Sequence, residues 1–262
     1  MKLDIYQIDA FTNRIFGGNP ACVIPLKEWL ADAILLQIAK ENAVAETAFF
    51  VPKGDRFHLR WFTPDIEMDL CGHATLATAH ALKTILNFEG SSIVFETLSG
   101  ELTVTLEGEL YTLDFPSRMP LSVDLPEIIS KSLSLQPKYV LKSRDYFLVY
   151  ESEDDIKNIN INRTIIDQIN LDPGGLIITA KGDAVDFVSR FFTPQSTHFE
   201  DPVTGSAHCS LIPYWAKELK KSNLVATQLS ERQGQLFCTN NGERVRISGY
   251  AKTYSIGKCW IK

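Results

Sequence analysis

A chain of 262 residues is long for one domain and sufficient for two of about 100–150 residues each, with 45% hydrophobic residues to build both cores. A formal charge of -6 without any Lys/Arg block argues against a nucleic-acid partner. No apolar run approaches the roughly 20 residues that crossing a bilayer demands, so no membrane association is expected.

Leu3, Ile5 and Ile8 alternate with polar residues, which predicts a strand over 3–11 rather than an export signal. The five cysteines (Cys22, Cys71, Cys209, Cys238, Cys259) lack CxxC spacing and are expected to be reduced thiols of a cytoplasmic protein. After the turn Gly17-Gly18-Asn19-Pro20 comes an apolar strand, 21–24, and then a helix over 32–42 with Asp32 as its cap. Strands 47–51 and 57–62 flank Lys53-Gly54-Asp55. Residues 74–86 are Ala/Leu-rich on nearly every side, which marks a helix buried all round, wrapped by strands. A meander over 93–115 follows.

Pro116 and Pro120 mark a boundary between an N-terminal half, 1–118, and a C-terminal half, 119–262, whose last strand can cross back to the first. A weakly amphipathic segment spans 126–133, strands 139–141 and 146–150 follow, and an acidic helix is predicted over 153–169. Strands 176–179 and 184–192 lead to a second apolar helix starting near Gly205, in which Pro213 should introduce a kink. The tail from Val225 is strand-like, with Asn241-Gly242 as a hairpin turn.

The two halves repeat one pattern. Arg60-Trp61-Phe62-Thr63-Pro64 leads into Gly72-His73-Ala74, and Arg190-Phe191-Phe192-Thr193-Pro194 leads into Gly205-Ser206-Ala207. A repeat of this length predicts two similar α+β half-domains, each a curved, mostly antiparallel, barrel-like sheet around one buried helix. The simplest arrangement has them facing a shared cleft. Helix N-termini present unpaired N–H groups and a positive dipole end, so two of them at one cleft would receive a small anionic metabolite.

Glu46 lies among Ala and Phe residues between a helix and a strand. Loss of hydration there disfavours its charged form, as a proton-transferring acid/base requires; an exposed Glu at a helix end is the competing reading. His73 heads the first repeat helix, where the dipole should lower its pKa and favour a neutral imidazole. Ser206 occupies the matching position of the second copy. It lacks the G-x-S-x-G context of a hydrolase nucleophile, and no dinucleotide or Walker motif is present. Asp201 is either a helix cap or a carboxylate aimed at a ligand amine or hydroxyl. His80 reads as a packed helix residue, and His58, His198 and His208 as structural. A metal site from Cys71, His73, His208 and Cys209 is disfavoured, because their spacing is not that of paired zinc ligands.

Together, Ala45-Glu46-Thr47-Ala48-Phe49, Thr63-Pro64…Gly72-His73-Ala74-Thr75-Leu76 and Asp201-Pro202-Val203-Thr204-Gly205-Ser206-Ala207 resemble the phenazine-biosynthesis PhzF-like family. Ile8-Asp9-Ala10-Phe11 and Gly18-Asn19-Pro20-Ala21 resemble its N-terminal pattern. The resemblance implies a diaminopimelate-epimerase-like fold, a homodimer, and an isomerase that moves a proton within an unsaturated or carbonyl-bearing acid without metal or organic cofactor. It implies Glu46 as the acid/base, His73, Asp201 and Ser206 as substrate-orienting groups, and Gly72 and Gly205 as residues that keep the helix heads open. Related epimerases use two thiols, one before each of these glycines; here Cys71 precedes Gly72 but Thr204 precedes Gly205. A two-base inversion is therefore disfavoured, and Cys71 reads as a small buried hydrophobe. A racemase using Cys71 with another base, and a non-catalytic small-acid binder, are the rival readings.

Overall fold

The computed structural model describes residues 1–171 and 174–261. It divides into two units, Met1–Asp114 with Ser248–Lys262, and Phe115–Ile247. The division thus falls between Asp114 and Phe115, and the chain end goes with the first unit. The reason is pairing: the C-terminal strand, Ala251–Trp260, runs antiparallel to the first strand from Lys2↔Trp260 to Ala10↔Ala251.

The first unit contains β1 (Lys2–Ala10), β2 (Asn19–Pro25), α1 (Asp32–Asn42), β3 (Glu46–Lys53), β4 (Arg56–Phe62), β5 (Glu67–Met68), α2 (Gly72–Thr84), β6 (Ser92–Thr97) and β7 (Gly100–Glu107). β8 (Leu110–Pro116) closes its meander. β1 and β2 are antiparallel, β2 and β3 parallel, β3 and β4 antiparallel, β4 and β6 parallel, and β6 to β8 antiparallel. α2 lies against β1, β2, β3 and the C-terminal strand, and every residue from Gly72 to Leu82 is buried. Its threonines are compatible with that burial because Thr75 and Thr78 donate to the carbonyls of Cys71 and Ala74, 2.5 and 2.7 Å away. Ile24, Leu35, Phe49 and Phe62 form the core against which α1 packs. Asp32 is not the cap of α1: Ala31 holds that place, and the Asp32 carboxylate instead receives Arg60 at 2.9 Å.

The second unit contains β9 (Leu121–Ser122), α3 (Glu127–Ser132), β10 (Tyr139–Lys142), β11 (Tyr146–Val149), α4 (Glu153–Asn158), α5 (Arg163–Ile166), β12 (Leu176–Lys181), β13 (Phe187–Phe192), β14 (Glu200–Asp201), α6 (Gly205–Leu219), β15 (Asn223–Gln228), β16 (Gly234–Asn241) and β17 (Arg244–Gly249). β17 ends just across the unit boundary. The helix predicted over 153–169 is two short ones. Ser152 and Asp155 form a capping box that starts the first, but Ile159 turns extended and Ile161 bridges to Leu133. Both isoleucines are buried, so core packing overrides helix periodicity. α6 continues through Pro213. The carbonyl of Cys209, deprived of its usual donor by the proline ring, accepts the backbone N–H of Arg118 at 2.8 Å.

The sequence repeat is a repeat of topology. The order β1, β2, β3, β4, β5, α2, β6, β7 has the same pairing directions as β10, β11, β12, β13, β14, α6, β15, β16. Each unit is a mixed sheet carrying one apolar helix, which is the α+β architecture expected.

One glycine decides where β2 begins. Gly18 has φ +62°, and a Cβ there would lie 2.0 Å from the carbonyl oxygen of Ala10; Gly54 has φ +65° with nothing within 4 Å. Gly54→Ala should cost about 1 kcal/mol for the left-handed backbone alone, whereas Gly18→Ala should cost at least about 2 kcal/mol more through the added clash. Urea unfolding of the two variants measures this, and equal losses would show that the turn relaxes freely.

Candidate active site

Three elements bring their N-terminal ends together in the first unit. Parallel pairing sets Ala21 opposite Glu46, so Asn19 and Glu46 open β2 and β3 at the same end, and α2 begins there with Gly72. Ala43, in the left-handed region at φ 51°, ends α1 and lets the chain turn into β3. Glu46 Oε2 then lies 3.0 Å from His73 Nε2, the side chains being 15% and 4% exposed. Neither atom has a hydrogen-bond partner, so the contact is a close charge pair rather than an aligned hydrogen bond. On the other side of the imidazole, Nδ1 faces Asn19 Nδ2 at 3.2 Å and Cys71 Sγ at 3.5 Å.

This arrangement reverses the expectation of a neutral His73. Burial pulls its pKa down most strongly, but Cys71 and the Glu46 carboxylate push it up and prevail, leaving it well above 6.5. The Cys71 thiol is itself raised, by burial first and then by the charge of Glu46. The Glu46 carboxylate thus raises both groups that it faces. The partial charge of a helix end is outweighed by a whole charge 3.0 Å away. Cys71, buried as expected, is also more than a hydrophobe, since its sulfur touches the imidazole.

The head of α6 is built on the same plan with different chemistry. Thr204 precedes Gly205 and donates its hydroxyl to Asp201 Oδ2. Gln228, fully buried, accepts from Thr204 N at 2.9 Å and donates to the carbonyl of Asp201 at 2.7 Å, so it fixes both residues. Ser206 Oγ accepts from Arg144 Nη2 at 2.9 Å. Arg144 also reaches the Asp145 carboxylate at 3.2 Å, and Asp145, 2% exposed, takes the Gly175 N–H at 2.8 Å.

The arginine of each repeat anchors the loop leading to its helix. Arg60 grips Glu67 through two 2.7 Å bonds and ties β4 to β5; Arg190 grips Glu200 at 2.7 and 2.8 Å and ties β13 to β14. Each guanidinium also lies over an aromatic ring, Phe62 at 5.1 Å and Phe192 at 4.9 Å. The loops that deliver Cys71 and Thr204 therefore start from rigid points.

Of the candidates from sequence, Glu46, Gly72, His73 and Cys71 meet at the head of α2, and Asp201, Gly205 and Ser206 at the head of α6. His80 is a packed helix residue, bonded to Tyr111 and Thr253. His208 Nδ1 faces the Thr204 carbonyl at 2.8 Å, and burial lowers its pKa to about 4, as suits a structural histidine. Asn19, Arg144 and Gln228 escaped the sequence reading. Asn19 sits in the Gly18-Asn19-Pro20-Ala21 motif, which could have marked it; Arg144 and Gln228 carry no local signal. Among the described residues, Glu46, Cys71 and His73 offer donor atoms within 4.8 Å of one another, the grouping a metal ion would need.

The fold is the diaminopimelate-epimerase-like architecture. A hydroxyproline epimerase of Agrobacterium vitis shares that fold at a TM-score of 0.61 and 8% identity, over 98% of this chain and 92% of that one. The family model described as phenazine biosynthesis-like protein matches residues 8–257, and the chain belongs to that family. An uncharacterized isomerase of Pseudomonas aeruginosa is 46% identical over 98% of both chains. A crystal structure of a PhzF-family phenazine biosynthesis protein from Enterococcus faecalis matches with a TM-score of 0.94 and 42% identity over the whole of each chain. Among the described residues, no helix is long and apolar enough to cross a membrane.

The pairing at the head of α2 has a measurable signature. Glu46→Gln should bring the titration of the His73 ring down by about one unit or more, since burial then acts without the opposing carboxylate. A folded-state pKa above 6.5 adds stability that is complete below that pH and is lost as pH rises through the folded value. The stability gap between wild type and variant should therefore shrink on going alkaline from 6.5. Imidazole NMR shifts and urea unfolding across pH check both; an unmoved His73 titration would show that Glu46 does not hold its proton.

Proposed function

We propose that this enzyme moves a proton within a small unsaturated or carbonyl-bearing carboxylic acid, with Glu46 as the acid/base and no cofactor. The observation that carries the reading is the buried Glu46–His73 pair at 3.0 Å. A carboxylate there takes a proton from one substrate carbon while the protonated imidazole stabilises the electron density left behind. Glu46 then returns the proton to a different carbon, so the double bond shifts and the net proton count is unchanged. At the head of α2, His73 orients a polar group of the substrate and the N–H groups beside Gly72 receive its anionic part. The same reading has the enzyme working as a cytoplasmic homodimer.

A placed acid/base is commonly worth about a hundred- to ten-thousand-fold in rate, and Glu46→Gln removes it with little change of shape. Small unsaturated acids that raise the thermal midpoint supply test substrates. In D₂O, wild type should incorporate solvent deuterium into such an acid and Glu46→Gln should not; full exchange by the variant would remove Glu46 from the role.

The sulfur of Cys71 beside His73 favours a second reading, in which the thiol serves as one base of an epimerase. Cys71→Ala separates the two. The proton-shift reading expects a loss below about tenfold, whereas a thiol base predicts a loss as large as that of the acid/base, about a hundredfold or more. The raised Cys71 pKa and the Thr204 hydroxyl at the head of α6 support the first outcome.

A further inference from the structure

The ring of His73 can occupy its place at the head of α2 in two ways. Half a turn about the Cβ–Cγ bond exchanges Nδ1 with Cδ2 and Nε2 with Cε1, atoms of nearly equal size, so packing alone does not choose between them. In one orientation Nε2 meets Glu46 Oε2 at 3.0 Å; in the other the carboxylate would face a carbon. What tells the two apart is the opposite edge of the ring, where Asn19 Nδ2 lies 3.2 Å from Nδ1 and Cys71 Sγ lies 3.5 Å from it. We infer that Asn19 is a positioning residue: its amide, bonded to Nδ1, holds the imidazole with Nε2 turned toward Glu46.

The place of Asn19 in the chain suits this task. It is fully buried and pairs with Ala10 across β1 and β2. Before it stands Gly18, whose φ of +62° and contact with the Ala10 carbonyl exclude a side chain. After it stands Pro20, whose ring holds the preceding residue extended. The backbone of Asn19 is thus constrained from both sides, and its amide meets the imidazole from one direction. An amide also suits either protonation state of the ring. Its N–H donates to a bare Nδ1, and after a half-turn its carbonyl accepts from a protonated one, so the anchor persists when the ring carries the charge that the proton shift uses. The Cys71 sulfur is the weaker partner, being farther away and of a kind that bonds feebly.

The catalytic consequence rests on the proton-shift reading, whereas the orientation of the ring is measured on the protein alone. Full-length protein carrying isotope-labelled histidine is compared as wild type, Asn19→Leu and Asn19→Asp. Leucine keeps the shape of the amide without a polar atom; aspartate keeps an oxygen that accepts from a protonated Nδ1. The nuclear Overhauser contact between the His73 Cδ2–H and the Cys71 β-protons should strengthen in Asn19→Leu, where the ring turns over, and stay at its wild-type level in Asn19→Asp. Solvent deuterium incorporation into a test acid should fall about tenfold or more in kcat for Asn19→Leu, with little change in KM, because a small misplacement of a reacting group can cost as much as about a hundredfold. Asn19→Asp should restore most of that rate. Asn19→Val, apolar and too short to reach the ring, serves where the leucine variant folds poorly. A ring that keeps its contacts in the apolar variants, or equal rate losses with leucine and aspartate, would overturn the assignment. Exchange that survives Glu46→Gln removes the proton-shift reading instead, and the ring contacts then still decide for or against Asn19.

Discussion

The contact between Glu46 and His73 sets the terms for the rest of the first unit. Two ionisable groups 3.0 Å apart and largely closed to water lose hydration that neither can recover alone. Each charge offsets the other, so removing either partner would strand a buried charge. The surroundings fit that demand. Asn19 supplies a polar contact on the far edge of the ring, and Cys71 supplies a soft one. A carboxylate that meets an imidazole here is not a solvated residue at a helix end.

The two units show how a repeated scaffold supports different chemistry. Arg60 with Glu67 and Arg190 with Glu200 make the same two-pronged bridge between the strand before the helix and the short strand after it. A planar guanidinium fits a carboxylate in only a few orientations, so each bridge fixes direction as well as distance. Beyond these anchors the copies diverge. Cys71 and His73 at the head of α2 correspond to Thr204 and Ser206 at the head of α6. The first pair joins a titratable imidazole to a carboxylate; the second is made of hydroxyls held by Asp201, Gln228 and Arg144. The titratable imidazole and its carboxylate thus lie in one copy, while the other presents hydroxyls bonded to Asp201 and Arg144.

Where the reading from sequence departed from the structure, the cause was a partner distant along the chain. The acidic stretch at 153–169 has helical periodicity, yet Ile159 and Ile161 are drawn into the core of the second unit and break it. Pro213 lies inside α6, and the Cys209 carbonyl that its ring leaves without a donor is taken by the N–H of Arg118, 91 positions away in the numbering. Asp32 has the composition of a helix cap and is used as a partner for Arg60. The proton on His73 belongs to the same class, since the dipole of its own helix was legible and the carboxylate opposing it was not.

Local chemistry alone was enough to determine the α+β class, the duplicated halves, the all-round burial of 74–86 and the residues worth watching at positions 46, 72, 73, 201, 205 and 206. Those properties follow from periodicity, from side-chain size and from motifs spaced along one strand–loop–helix passage. Only tertiary structure decided that Glu46 and His73 form a pair, that Cys71 joins them, that Gln228 and Arg144 brace the second helix head, and that the last strand completes the first unit. Each of these depends on strand register and on which charges share a buried space, quantities that arise when distant segments meet.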